Sequence, residues 1–240
     1  MSRFFVTPFD GEITAITGSD AHHIARVLRM KVGETVTLCD SQGVDYVCEI
    51  TSLNDNEVGL RVRERLPSVT EPTVRVTLYQ GLPKSEKMEW IIQKCVEIGI
   101  TRIVPVAMSR CVVKLTAADG EKKRVRWQKI AAGAAEQSGR GIIPEVTAPI
   151  TFEQALKDVR NIPTVTFYEG GGQPLSELIG EHTEELAIVI GPEGGFALSE
   201  IEKLQANGAS IATLGKRILR CETAPMVALS VIMQLTGNMN

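Results

Sequence analysis

This 240-residue sequence lacks the features of a membrane protein or a secreted protein. No apolar run approaches the roughly 20 residues that a helix needs to cross a bilayer. Residues 1–10 contain no apolar segment followed by a small-residue cleavage site, which a secretory signal would show. Because both features are missing, the sequence predicts a cytoplasmic protein with no membrane partner.

A metal-binding pattern is also missing. The five cysteines are scattered along the chain without a C-x-x-C pair, and the three histidines stand at no ligand spacing beside them. We therefore expect reduced thiols and no bound metal. The formal net charge of -3 argues against a protein that coats nucleic acid generally, so any contact with nucleic acid has to come from local basic patches.

The usual phosphate-binding loops are absent as well. The chain contains no GxxxxGK[ST] motif, and its segment Gly191–Gly195 reads GPEGG instead of GxGxxG. Pro192 and Glu193 stand where a pyrophosphate loop needs a close backbone approach and no negative charge. Together with Glu169 they disfavour a nucleotide-dependent enzyme of the Rossmann type, whereas a cationic or zwitterionic ligand would be tolerated.

Two parts with different hydrophobic patterns follow each other along the chain. Residues 3–65 consist of short β-like runs separated by turn residues, which predicts a small β-barrel. Leu66–Pro72 contains two prolines and no periodicity, and we place a domain boundary there. From Val74 onwards strands alternate with helices, which predicts an α/β domain with a mainly parallel sheet covered on both faces.

One helix interrupts the predicted barrel. Its apolar face would carry Ile24, Val27 and Leu28, which leaves Arg26 and Arg29 on other faces as a basic edge. Such an edge is either a solvated helix face or a contact for phosphate groups.

Three glycine-marked loops of the α/β part each follow a buried strand. Because the carboxyl ends of parallel strands meet at one edge of a sheet, we expect these loops to surround a ligand. Glycines let the backbone approach a flat heteroaromatic ring, and apolar side chains of the last loop would form walls. The loops are Glu169–Gly172, Gly191–Gly195 and Gly215–Arg220.

The charges of the last loop allow two interpretations. Arg217 and Arg220 could position the phosphates of a polyanionic second substrate, or they could pair with Glu193 and Glu222 and hold the loops together. Glu222 could also be only a helix cap, since a carboxylate just before a helix N-terminus is favoured by the helix dipole. The helix that follows, Pro225–Leu235, is apolar nearly all round and has to be buried in the domain or against a second copy of the chain.

Five segments, in this order, resemble the RsmE family of ribosomal RNA uridine-N3 methyltransferases in the SPOUT superfamily. They are HHIARVLRMKVGE, KSEKMEWIIQKCVEIGITRIVPV, RWQKIAAGAAEQSGR, IGPEGGF and LGKRILRCETAP. The resemblance covers essentially the whole chain. One departure is Cys221, which stands where threonine is usual and is a poorer hydrogen-bond partner.

The resemblance implies a PUA-like RNA-binding barrel over residues 1–68, a linker over 69–72 and a SPOUT α/β domain with a deep trefoil knot over 73–240. It implies S-adenosylmethionine as the methyl donor, 16S ribosomal RNA or the small ribosomal subunit as partner, and a homodimer. The residues it assigns to the donor are Thr166, Tyr168, Glu169, Ile190, Gly191, Gly194, Gly195, Leu214, Gly215, Ile218 and Leu219. The residues expected to contact RNA are Arg26, Arg29, Lys84, Arg140 and Arg217.

Methylation of uridine N3 requires loss or polarisation of its imide proton, and alignment of that nitrogen with the methyl group. We expect Arg220 to stabilise the developing negative charge, and Glu193 or Glu222 to assist removal of the proton. Two other functions stay open at this point: methylation of another RNA, such as transfer RNA, and a non-catalytic role in ribosome assembly.

Overall fold

The structure is a computed structural model that describes residues 3–239. Residues 1–2 of the expected first domain and residue 240 of the second lie outside the described residues. The chain divides into two compact units between Glu71 and Pro72. The first unit also takes in Ala135–Ile143, a segment from much further along the chain, and the second holds Pro72–Ala134 and the residues from Pro144 onwards.

The first unit is built on one five-stranded sheet in the order β1-β3-β4-β5-β2. Strand β1 pairs parallel with β3, and the other pairs are antiparallel. Two bulges interrupt the pairing of β4 with β5, and bulges bend a sheet. The expected small barrel is thus a half-barrel in which β1 and β2 end the strand order. The strands are β1 (Arg3–Phe5), β2 (Ile13–Thr17), β3 (Thr35–Cys39), β4 (Val44–Leu53) and β5 (Glu57–Pro67).

The helix of the first unit differs from the predicted one. Helix α1 (Ser19–His22) continues as a π-helix over His23–Val27, closed by a bond from the Leu28 N–H to the His23 carbonyl. The wider turn rotates later residues away from the core, so Ile24 is buried while Val27 is 62% and Leu28 38% exposed. The predicted apolar face was therefore wrong beyond Ile24.

An internal ion pair joins two distant segments of the first unit. The guanidinium of Arg140 binds the carboxylate of Glu71, which also accepts hydrogen bonds from the N–H groups of Gly141 and Ile142. Arg140 is only 3% exposed. Because a buried charge needs such a partner, the prediction that Arg140 faces RNA is not met by this structure.

The second unit contains a parallel sheet in the order β11-β13-β10-β12-β6-β7-β8, with the short β9 paired to β7. Its central strands are buried along most of their length, as expected for a sheet covered on both faces. The strands are β6 (Arg75–Gly81), β7 (Arg102–Ala107), β8 (Glu145–Val146), β9 (Ile150–Thr151), β10 (Thr164–Phe167), β11 (Gln173–Pro174), β12 (Glu185–Ile190) and β13 (Ser210–Thr213).

The predicted α/β alternation is confirmed by the helices that lie between these strands and after the last one. They are α2 (Lys87–Ile98), α3 (Ala117–Gln137), α4 (Phe152–Asp158), α5 (Leu198–Ala206) and α6 (Thr223–Leu235). Helix α6 packs against α2 and buries one face, which includes Leu229 and Ile232. Its other side leaves Met226 and Val227 half-buried and Val231 exposed. No helix within residues 3–239 is both long and apolar enough to cross a membrane.

Candidate functional site

A cavity of about 510 Å³ lies at the carboxyl ends of three neighbouring strands of the second unit. Strands β10, β12 and β13 pair parallel, with Thr166 beside Val189 and Ile211. Their following loops consequently emerge at the same edge and enclose the cavity together. Its size is typical of a small-molecule site.

The cavity is lined by ten of the eleven residues expected to bind the donor. These are Tyr168, Glu169, Ile190, Gly191, Gly194, Gly195, Leu214, Gly215, Ile218 and Leu219. The eleventh, Thr166, is fully buried inside β10 and is not among the lining residues. Residues that were not among these eleven also line the cavity: Phe167, Pro192, Phe196, Thr213, Lys216, Cys221 and Ala224.

The glycines of this loop region have little free space around them. A Cβ on Gly191 would lie 3.2 Å from the ring of Phe196, and one on Gly195 would lie 2.5 Å from the Glu169 carboxylate. Gly195 also has φ +65°, which side-chain-bearing residues rarely adopt. The glycines therefore bring bare backbone to the cavity wall.

Strand β6 fixes the base of the Gly191–Gly195 loop. The fully buried Gln80 donates from Nε2 to the Gly191 carbonyl at 3.3 Å. The next residue, Gly81, faces this loop so closely that a Cβ there would lie 2.5 Å from the Pro192 nitrogen. On the other side, the Arg110 guanidinium donates to the Gly194 carbonyl at 3.0 Å. The loop is thus held from strand β6 on one side and from the turn after β7 on the other.

The cationic side chains of the last loop are left without an ion pair within residues 3–239. Lys216, Arg217 and Arg220 are exposed and line the cavity. Among residues 3–239, no carboxylate forms an ion pair with any of them. The pairs with Glu193 and Glu222 that would have held the loops together are therefore absent. Arg217 and Arg220 are available to bind another anion.

Both carboxylates instead bind Lys87, the first residue of α2. Its Nζ lies 3.1 Å from Oε1 of Glu193 and 3.3 Å from Oε2 of Glu222. The Lys84 N–H donates to the same Glu193 oxygen at 3.0 Å, and the Cys221 thiol donates to Glu222 Oε2 at 3.1 Å. This cluster, which we call the Lys87 clamp, connects the turn before α2, the Gly191–Gly195 loop and the start of α6.

The clamp keeps its carboxylates ionised. Burial opposes ionisation of Glu193, but hydrogen bonds from the Lys84 N–H, its own N–H and Lys87 outweigh it and lower its pKa. Burial likewise opposes ionisation of Glu222, while bonds from Cys221, its own N–H and Lys87 lower its pKa. Burial, followed by the bond to Glu222, raises the pKa of the Cys221 thiol to about 12. At neutral pH the clamp therefore holds two carboxylates and a neutral thiol.

The remaining predicted RNA contacts are exposed. Arg26 and Arg29 lie on the surface of the first unit, where Arg26 forms an ion pair with Asp55 and Arg29 has φ +53°. Lys84 is exposed in the turn before α2 of the second unit. No group of histidine, cysteine, aspartate and glutamate side chains suited to a metal occurs in the described part of the chain.

Comparison with known proteins assigns the chain to a family. The model of the RNA methyltransferase domain matches residues 70–233, and that of the RNA methyltransferase PUA domain matches residues 16–62. The chain is 37% identical to ribosomal RNA small subunit methyltransferase E of Bacillus subtilis, covering 97% of this chain and 96% of that protein. It belongs to the small subunit methyltransferase E family.

Other relatives extend this likeness. The enzyme of the same name from Mesomycoplasma hyopneumoniae is 32% identical, covering 96% of this chain and 98% of that protein. A crystal structure of the Neisseria gonorrhoeae enzyme bound to S-adenosyl methionine is 29% identical with a TM-score of 0.87, covering 98% of both chains. The first unit accordingly contains the PUA-like domain of this methyltransferase E family, and the family resemblance seen in the motifs is confirmed.

The role of Lys87 was missed in the sequence, although one signal was present. A lysine in the first turn of a helix opposes the helix dipole, so it breaks a local rule. Such violations cluster at functional sites, where another interaction compensates for them. Ser85, two residues earlier, has φ +56°, a second unusual feature of the same turn.

The contact between Gly81 and Pro192 gives a testable prediction. In Gly81→Ala the new methyl group has to displace the Gly191–Pro192 backbone, so we expect a loss of about 1–3 kcal/mol in the free energy of unfolding. Urea denaturation measures it. Gly133→Ala in α3 is the matched control, because its Cβ meets nothing within 4 Å and should leave stability unchanged or slightly raised. Equal stability of the two variants would contradict the proposed packing.

Proposed function

We propose that the protein transfers a methyl group from S-adenosylmethionine to N3 of a specific uridine in 16S ribosomal RNA. As a member of the small subunit methyltransferase E family, it is an rRNA methyltransferase that uses this donor. The observation that carries the proposal is the cavity itself, which combines a bare glycine backbone with exposed, unpaired arginines.

The described residues fit the donor. Gly191, Gly194 and Gly195 would offer backbone groups to its adenine and ribose, and Leu214 and Leu219 would supply apolar walls. When bound, the donor supplies an electrophilic methyl group on a positively charged sulfur. The carboxylate of Glu169, which lies beside Gly195 at the cavity, is compatible with such a cation.

The loop arginines fit the second substrate. Arg217 would hold a phosphate of the RNA, and Arg220 would face the uridine ring and stabilise the negative charge that develops as N3 loses its proton. Glu193 and Glu222 were also expected to assist removal of this proton. Because their pKa values are lowered, they are weak bases, and we propose that they act instead through their ion pairs with Lys87.

Residues 1–68 are proposed as the RNA-binding domain, followed by a linker over 69–72 and the methyltransferase domain over 73–240. The support is the match to the RNA methyltransferase PUA domain and the exposed Arg26 and Arg29. A protein that modifies the small ribosomal subunit would work in the cytoplasm.

We further propose the deep trefoil knot and the homodimer implied by the family. The knot is supported by the path of the chain, which after β13 has to return past β10 and β12 to pack α6 against α2. The homodimer is supported by the apolar side of α6 and by Trp90 of α2, which is 50% exposed. Sedimentation equilibrium tests the dimer: we expect twice the chain mass of 26.1 kDa, and a monomer at micromolar concentration would overturn it.

One experiment tests the reaction. Small ribosomal subunits and free 16S rRNA from a strain lacking this enzyme are incubated with the protein and labelled S-adenosylmethionine, and the labelled base is mapped. We expect one N3-methylated uridine. Label in transfer RNA instead would favour a different RNA substrate, and absence of both transfer and donor binding would favour a non-catalytic role in ribosome assembly.

The role of Arg220 has a separate test. In Arg220→Ala we expect turnover to fall about 100-fold, because a positioned charge no longer stabilises the uridine anion, while donor affinity measured by calorimetry stays unchanged. The matched control is Arg75→Ala, which removes an exposed arginine at the amino end of β6, away from the cavity. Near-normal turnover of Arg220→Ala would remove this residue from the mechanism.

A further inference from the structure

Carboxylates of the protein itself could compete with RNA for Arg220. Glu193 and Arg220 line the same cavity, and Glu222 is two residues from Arg220. A planar guanidinium and a carboxylate form a strong, often bidentate pair, so either glutamate is a potential partner for Arg220. A paired Arg220 would have to break that bond before it could meet an RNA anion.

The Lys87 clamp removes this competition. Its single ammonium lies within 3.3 Å of both carboxylates, while backbone N–H and thiol donors satisfy further oxygen lone pairs. The side chains of Glu193 and Glu222 are 25% and 26% exposed, so their charges are only partly screened by water. Without the lysine, the negative charges of Glu193, which lines the same cavity as Arg220, and of Glu222, two residues from Arg220, would lose this cation.

The turn that delivers Lys87 is built for this contact. Ser85 adopts a left-handed conformation, which costs free energy in a residue other than glycine and persists only where surrounding contacts fix it. In consequence the Lys84 N–H and the Lys87 ammonium reach the same oxygen of Glu193. Lys87 also stands at a helix N-terminus, where a cation needs compensating anions.

We propose that Lys87 is a positioning residue that keeps Arg220 free for RNA by occupying Glu193 and Glu222. The inference rests on the proposed function, because it assumes that Arg220 meets an RNA substrate. Lys87 acts through the two carboxylates and does not contact the RNA. Removal of the Lys87 charge should therefore weaken RNA binding only while Arg220 and the carboxylates are both present.

The test measures binding of the full-length protein to 16S rRNA. Lys87→Met, which keeps most of the length of the side chain without its charge, should weaken this binding about tenfold, since a phosphate or base contact of one arginine is lost. Lys87→Arg should stay near wild type. Lys94→Met is the matched control, because it removes a lysine of the same helix whose contacts, with Glu97 and with the ring of Trp90, stay within that helix. Donor affinity, measured by calorimetry, should be unchanged in all three.

Two combined variants separate positioning from direct contact. Lys87→Met together with Arg220→Ala should bind RNA no more weakly than Arg220→Ala alone, because both changes act through the same arginine. Lys87→Met together with Glu193→Gln and Glu222→Gln should recover nearly wild-type affinity, because no carboxylate remains to capture Arg220.

Each contrary result overturns the inference in its own way. Additive losses in the first combination, or no recovery in the second, would mean that Lys87 contacts the RNA itself. Loss of donor affinity in Lys87→Met would mean that the lysine supports the cavity only structurally, and unchanged RNA affinity would mean that it has no such role. If the wild-type protein methylates 16S rRNA in the same preparations, any of these results leaves the proposed function standing.

Discussion

The parallel pairing of β10, β12 and β13 is the constraint on which the rest of the site depends. Parallel strands in one sheet end at the same edge, so the loops after Phe167, Ile190 and Thr213 have to meet there. These loops contain several glycines, whose backbone is flexible unless other contacts fix it. Gln80 and Gly81 of the adjoining strand β6 provide that support by fixing the backbone at Gly191 and Pro192.

A second level of order comes from charge. Exposed cations of one loop line the same cavity as Glu193 of another, and opposite charges that share a cavity attract each other. Lys87 separates them from outside the cavity, at the start of α2. The different roles of the lysine and the arginines follow from the chemistry of their side chains. A lysine is a compact point charge that can serve two carboxylates, whereas an arginine's planar fork suits phosphate and polarised base oxygens.

The architecture could be predicted from the sequence better than the individual side-chain contacts could. Alternating strands and helices, and the convergence of three loops, follow from periodicity and from the geometry of parallel sheets, and both are observed. The identity of the donor came from the motifs, because glycines and apolar walls are common to many ligands. Val27 and Leu28 were misassigned because a π-helical turn leaves no mark in hydrophobic spacing.

Long-range pairing of side chains is the part that sequence could not supply. Arg140 binds Glu71 across 69 residues of chain, and Lys87 binds Glu193 across more than a hundred, so neither pair is visible in local spacing. The proposed knot is a harder case still, because the general rule that chains do not thread loops would exclude it, and within the sequence only the family resemblance suggests it. The physical rules of local structure thus predict where the site lies, but they do not predict which charged side chains pair within it.

Cys221 shows how the clamp tolerates a change in its chemistry. The resemblance of the motif implies threonine at this position, and its hydroxyl would be the stronger hydrogen-bond donor. The thiol nevertheless donates to Glu222 at 3.1 Å, and with a pKa raised to about 12 it stays protonated across the physiological range. The carboxylates have lowered pKa values, so their ionic contribution to stability is present above their ordinary pKa near 4.5 and is lost only as the pH falls through the lowered values. Donor and acceptor therefore keep their roles at neutral pH, and the substitution preserves the bond that helps to hold Glu222 away from Arg220.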